Sequence, residues 1–168
     1  MNCAVTVGAD YGGREVAVYL NGEPETNGRR KTYMSVNEID ASAFNGEASL
    51  VGGELDDKIT ASQGATSLWG GIGGNDVLIG AGTDNTYFYV KGNGNDEIRN
   101  AADGDIIDLG NITLDDISWA SVMNSGVEIR FTDGGSLSLR NAADVTFKLG
   151  DGSSYKANYA NRTWDAKD

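Results

Sequence analysis

A nine-residue period runs through the middle of this chain, and few folds can accommodate one. From about Ala43 to Leu109 the sequence divides into AFNGEASLV (43–51), GGELDDKIT (52–60), ASQGATSLW (61–69), GIGGNDVLI (71–79), GAGTDNTYF (80–88), KGNGNDEIR (91–99) and NAADGDIID (100–108). The eighth position holds Leu50, Ile59, Leu68, Leu78, Tyr87, Ile98 and Ile107. The sixth holds Ala48, Asp57, Thr66, Asp76, Asn85, Asp96 and Asp105. Gly70 and the pair Tyr89-Val90 fall outside the blocks. Taking Gly70 as a first position would instead put Asn75 at position six; the later blocks favour Asp76.

Such a period has a mechanical meaning. A six-residue glycine-rich turn followed by a three-residue strand makes half a coil, and two blocks complete one coil of a solenoid. No block buries much alone, so stability comes from stacking. The eighth positions then form two inner ladders, one per sheet. Composition agrees: 24 of 168 residues are glycine and only one is proline, with neither the every-third spacing of collagen nor the proline content of a loose linker. The glycines serve ordered turns that need positive φ.

The flanks read differently. Residues 1–42 carry short alternating runs, Val16-Ala-Val18-Tyr-Leu20 among them, broken by Asn21-Gly22 and Asn27-Gly28, and predict a β-hairpin region with Arg29-Arg30-Lys31 as solvated edge protection. From 110 to 168 longer hairpins are expected. Val127, Ile129 and Phe131 alternate, Asp133-Gly134-Gly135 turns, and Leu137 and Leu139 return. Val145, Phe147 and Leu149 repeat the device through Asp151-Gly152. These would cap the last coil. Thr113-Leu114-Asp115-Asp116-Ile117 fits either one helical turn or a crossing loop. The fold expected is all-β: a short parallel β-roll over 43–109 between an N-terminal hairpin region and a C-terminal hairpin cap.

Absences narrow the chemistry. There is no histidine, so a Ser-His-Asp triad, a Cys-His pair and a His-liganded zinc are excluded. Cys3 is the only cysteine and can form no internal disulfide. A net charge of −12 argues against nucleic acid and anionic membranes. No apolar run is long enough to insert in a membrane, and Met1 to Leu20 lacks the pattern of a signal peptide, so export would use a signal elsewhere or a longer parent chain. Trp69, Trp119 and Trp164 read as packing residues rather than sugar platforms. Asp56, Asp103, Asp108, Asp115 and Asp116 read as solvated charge.

Blocks two apart share an edge of a solenoid. Asp57, Asp76 and Asp96 therefore stack on one edge, and Ala48, Thr66, Asn85 and Asp105 on the other. Carboxylates about 4.8 Å apart repel unless a cation lies between them. Ca²⁺ suits the gap, because it takes six to eight oxygens and the turns free backbone carbonyls to supply the rest; Mg²⁺, which demands tighter geometry, ranks second. Two ions on the Asp57/Asp76/Asp96 edge are expected, with a weaker third between the Asn85 and Asp105 turns.

The stretch from Gly70-Gly-Ile-Gly-Gly-Asn-Asp-Val-Leu78 to Gly92-Asn-Gly-Asn-Asp-Glu-Ile98 resembles the RTX, or haemolysin-type, calcium-binding repeats of secreted bacterial proteins, with motif G-G-x-G-x-D-x-U-x. Gly104-Asp-Ile-Ile-Asp-Leu109 is similar to that family's exit from its array, and 111–155 to the C-terminal domain that often follows. The resemblance implies ligands at Asp57, Asp76 and Asp96 with carbonyls from Gly71, Gly73, Gly92 and Gly94, calcium-driven folding, and an extracellular or cell-surface location after type I secretion. The sequence departs from the motif at Leu55, Ser62, Thr66 and Asn85. Two rivals remain: a metal-independent solenoid acting as a structural or adhesive module, and an enzyme, for which no carboxylate pair stands out. The chain is expected not to be an enzyme.

Overall fold

The computed structural model describes residues 3–6, 16–20, 30–33 and 36–166. Along the chain the strands are β1 (Cys3–Thr6), β2 (Val16–Leu20), β3 (Arg30–Tyr33), β4 (Val36–Asp40), β5 (Ala48–Val51), β6 (Lys58–Thr60), β7 (Thr66–Trp69), β8 (Val77–Ile79) and β9 (Thr86–Phe88). They continue with β10 (Asn95–Arg99), β11 (Ile106–Asp108), β12 (Ile117–Val122), β13 (Gly126–Phe131), β14 (Ser136–Arg140), β15 (Thr146–Lys148), β16 (Ser154–Asn158) and β17 (Thr163–Ala166). Through the array, successive strands alternate between two sheets. The first has the order β1-β4-β6-β8-β10-β14-β13-β12, the second β17-β16-β15-β11-β9-β7-β5-β2-β3. The protein is a parallel β-solenoid closed at its C-terminal end by antiparallel strands.

The inner ladders are those the period predicts from Leu50 to Ile107, extended at both ends by residues outside the repeats. In the first sheet Ile39, Ile59, Leu78, Ile98 and Leu139 lie in register. In the second, Val18, Leu50, Leu68, Tyr87, Ile107 and Phe147 do so. All are buried, and one continuous apolar cluster runs from Val18 to Ala157. The extra pair Tyr89-Val90 has a use: the Tyr89 ring turns inward and stacks on Phe131, centroids 4.9 Å apart. An insertion in the period thus fills the space beneath the cap.

Both ends hold a departure or a detail. The antiparallel hairpins expected over 1–42 are not formed by the strands described there. β1 runs parallel to β4, and β2 parallel to both β3 and β5. Period-two alternation is common to both kinds of pairing, so pattern alone could not separate them. Here Val18 and Ile39 extend the two inner ladders, and a parallel neighbour cannot be reached through a two-residue turn. Asn21-Gly22, Asn27-Gly28 and Arg29 lie outside the described residues.

At the C-terminal end the expected hairpins form: β13 with β14, and β15 with β16, each antiparallel. Their inner strands also pair parallel with the array, β14 on β10 and β15 on β11. The cap therefore adds one more level before it reverses. Leu114–Asp116 is a single 3-10 turn closed by Thr113 and Asp116, so Asp116 serves as a cap as well as a surface charge. Trp164 packs on Phe147, centroids 4.5 Å apart, as a packing residue should. Trp119 does not; it is 45% exposed beneath the Arg130 guanidinium.

Because each level buries one apolar side chain per sheet, a single truncation should be felt along the stack. Leu68→Ala is expected to cost about 3 kcal/mol. Ser67→Ala, on the outward side of the same strand, should stay within about 0.5 kcal/mol. Urea denaturation followed by circular dichroism checks both.

Candidate functional site

Strand alternation decides where the aspartates go. In a block the seventh and ninth positions face out, so the sixth points inward together with the eighth. Asp57, Asp76 and Asp96 consequently stand beside Ile59, Leu78 and Ile98, and all three are buried. The register also settles the frame: Val77 lies opposite Lys58 and Glu97, which puts Asp76, not Asn75, in the column with Asp57 and Asp96.

The carboxylates of Asp76 and Asp96 are each tied to the backbone of the preceding level, and that of Asp57 to its own turn. Asp57 N–H donates to Asp76 Oδ1 (2.9 Å), and Asp76 N–H donates to Asp96 Oδ1 (3.0 Å). Asp57 Oδ2 accepts from Gly53 N–H at 2.6 Å. Asp76 Oδ2 is buried and has no hydrogen-bond partner. A Cβ at Gly70 would collide with that oxygen, so the carboxyl lies directly against the glycine backbone.

The glycines singled out by the motif line the same edge. Gly71, Gly73, Gly92 and Gly94 have φ of +114°, +79°, +88° and +101°. Gly71 and Gly94 could not be replaced: a Cβ there would overlap the carbonyl oxygens of Gly53 and Gly74, one level earlier. At these two positions turn lies directly on turn, whereas a Cβ at Gly73 would meet only the Glu54 carbonyl oxygen, at 3.6 Å, and one at Gly92 would meet nothing within 4 Å.

The opposite edge repeats the device with other side chains. Ser62 N–H donates to Thr66 Oγ1 (3.1 Å), Thr66 N–H to Asn85 Oδ1 (3.1 Å) and Asn85 N–H to Asp105 Oδ1 (2.8 Å). Asp105 Oδ2 accepts from Ala102 N–H (2.9 Å), Asn85 Nδ2 (3.3 Å) and the Tyr87 hydroxyl (3.3 Å). Burial and the neighbouring Asp105 charge push the Tyr87 hydroxyl far up, which keeps it a donor. Asn85 and Asp105 thus sit together, apart from the three-aspartate column, and their polar atoms are met by protein donors and acceptors.

Sequence reasoning missed a second, outer ladder. Asn75 N–H donates to Asp56 Oδ1 (2.8 Å), and Asn95 N–H and Nδ2 donate to Asn75 Oδ1 (3.2 and 2.9 Å). The Ser136 hydroxyl continues it onto Asn95 (2.9 Å). Asp56 is therefore a capping group as well as a surface charge. The signal was present in the fifth positions, which read Asp56, Asn75, Asn95. Asn93, also unremarked, is fully buried in its turn with both amide atoms unpaired.

Burial raises the acids. Loss of water pushes Asp76 and Asp96 up to about 7, each partly opposed by the N–H it accepts; at Asp76 the charges of Asp96 and Asp57 add to the rise. Asp57 is raised for the same leading reason. The arrangement suits an oxygen-bound cation at the Asp76 level, where a buried carboxylate oxygen is unpaired. It does not suit a site made of side chains alone, because among the described residues no three His, Cys, Asp or Glu converge. Backbone carbonyls would have to complete the shell.

A raised acid binds its proton more tightly in the folded state than in the unfolded one. Its contribution is complete below about pH 3.8 and is lost as pH rises through about 7. In chelator the melting temperature should therefore be higher at about pH 5 than at about pH 8, by ~3 °C or more, the shift of about 1 kcal/mol in a chain of this size. Asp76→Asn keeps the acceptor for Asp57 N–H and should flatten that profile in a thermal scan. No protein-family model and no curated protein matches this sequence, so the reading of these turns rests on their geometry and on the repeat motif.

Proposed function

We propose that this chain is a calcium-binding module of a secreted or surface RTX-type bacterial protein, in which Ca²⁺ between stacked turns stabilises or triggers folding of the β-roll. The observation that carries the reading is the buried column Asp57–Asp76–Asp96 with Asp76 Oδ2 unpaired. Ionising three acids in that column costs desolvation and mutual repulsion. A bound divalent ion supplies the opposing charge. One ion would lie between the Asp57 and Asp76 turns and one between the Asp76 and Asp96 turns, with carbonyls from the turns containing Gly71, Gly73, Gly92 and Gly94 completing each shell. The chain's own part is to bring successive turns into contact and to exclude water from the carboxylates. Folding and ion binding are then linked, and a chain loose in low calcium sets where calcium is high. The extracellular setting follows from the motif resemblance and belongs to the proposal.

One observation favours a second reading, a metal-independent structural or adhesive solenoid. The Thr66–Asn85–Asp105 ladder stacks through protein hydrogen bonds, with neutral groups at two of its three levels. A carboxylate column can do the same if its acids stay protonated.

The two readings part in a calcium titration of chelated protein at about pH 8, followed by far-UV circular dichroism with magnesium as control. The calcium reading expects a calcium-specific gain of β signal or melting temperature. Calcium at about a hundred times its dissociation constant adds about 2.7 kcal/mol per ion. Asp76→Asn should lose most of that gain while still folding. A full β spectrum in chelator, with a melting temperature unmoved by calcium, would sink the calcium reading in favour of the scaffold.

A further inference from the structure

The outward faces of the two sheets differ in kind. On the first sheet one row across the strands reads Glu38, Lys58, Val77, Glu97 and Ser138. The next reads Asp40, Thr60, Ile79, Arg99 and Arg140. Ion pairs lace these rows: Lys58 with Glu38 at 2.7 Å, and Glu97 with Arg99 and with Arg140. On the second sheet one row reads Ser49, Ser67, Thr86 and the neighbouring row Val51, Trp69, Phe88. Ile106 continues the first row on β11. Charge enters at the margins, with Asp108 on β11 and Lys148 on β15 at one side and Arg30 on β3, beyond Ala17 in the Ser49 row, at the other. A chain of net charge −12 has left the outer face of three consecutive strands with none.

We propose that this face, the Ser49–Ser67–Thr86 hydroxyl row beside the Val51–Trp69–Phe88 apolar row, binds a neutral polysaccharide. Parallel strands set the two rows about 7 Å apart and repeat each of them about every 4.8 Å. The result is a flat strip with hydroxyls along one side and rings along the other. That is the chemistry of an uncharged sugar chain: its C–H faces lie on aromatic rings while its hydroxyls exchange hydrogen bonds with Ser and Thr. Polyanions are disfavoured because the strip has no cation and the molecule around it is acidic. The rings are available, Phe88 being 37% exposed and Trp69 half-buried on the outer surface. The Trp69 indole N–H is covered and has no acceptor. Turning its edge toward a sugar hydroxyl would gain a hydrogen bond and break none.

The proposal is independent of the ion, since the strip lies on a sheet face and the aspartate column inside an edge. The test is a calorimetric titration with cellohexaose, xylohexaose and maltohexaose, with calcium present throughout and polygalacturonate as the anionic control. At least one neutral hexaose should bind, with little dependence on salt, and polygalacturonate should not. Trp69→Ala and Phe88→Ala should each weaken binding about tenfold or more. Trp69→Phe, which keeps a ring, should retain most of the affinity. Phe88→Lys, at the more exposed position, removes no core contact and should abolish binding in a chain whose circular dichroism is unchanged. Failure of all three hexaoses, or equal binding by the alanine and lysine variants, overturns the proposal. So does a wild-type dimer in sedimentation that Phe88→Lys dissociates, because the strip would then be the contact between two copies.

Discussion

Everything in this molecule depends on a polar group being carried inward at every level. Once a three-residue strand alternates, the residue two before the core side chain must share its side of the sheet. The solenoid cannot bury Ile59, Leu78 and Ile98 without also burying Asp57, Asp76 and Asp96. A buried polar group is tolerable only when hydrogen-bonded. Its partner is the backbone N–H of the neighbouring level, which would otherwise be an orphan at the mouth of a tight turn. One bond thus answers two needs, and it sets the stacking distance.

The two edges meet this requirement at different cost. Thr66 and Asn85 offer an acceptor without a charge, and Asp105 is surrounded by donors from Ala102, Asn85 and Tyr87. The other edge places an acid at three consecutive levels, and leaves Asp76 Oδ2 with nothing to accept. The scaffold itself is therefore served by the neutral edge. The acidic edge carries more negative charge than stacking needs, and that surplus is what the proposed cation would neutralise.

Much of this was legible in the residues. The period named the ladder side chains one by one, from Leu50 to Ile107, and the Asp-Gly turns located both terminal hairpins. Three things were not legible, each for a physical reason. Parallel pairing of β1 to β4 leaves no local mark, because an alternating strand reads the same whichever neighbour it finds. Asp56 read as a surface charge because exposure and capping are compatible: an exposed carboxylate can still accept Asn75 N–H from the next turn. Trp69 read as a packing residue because tryptophans are usually well buried; at the ninth position of its block it faces out and is half-buried.

The inner and outer ladders point in opposite directions along the chain. Asp57 N–H waits for an acceptor 19 residues downstream, and Asp76 N–H for one 20 downstream. Asn75 N–H looks back 19 residues, to an acceptor already laid down. Along the chain, each outer bond therefore has its acceptor in place before its donor. The buried ones have their donor first and stay open until the following coil is laid down. No coil is finished by its own sequence; each is sealed by the one after it, and the final seal comes from the terminal hairpins. The structure is in this sense written to be closed from its far end.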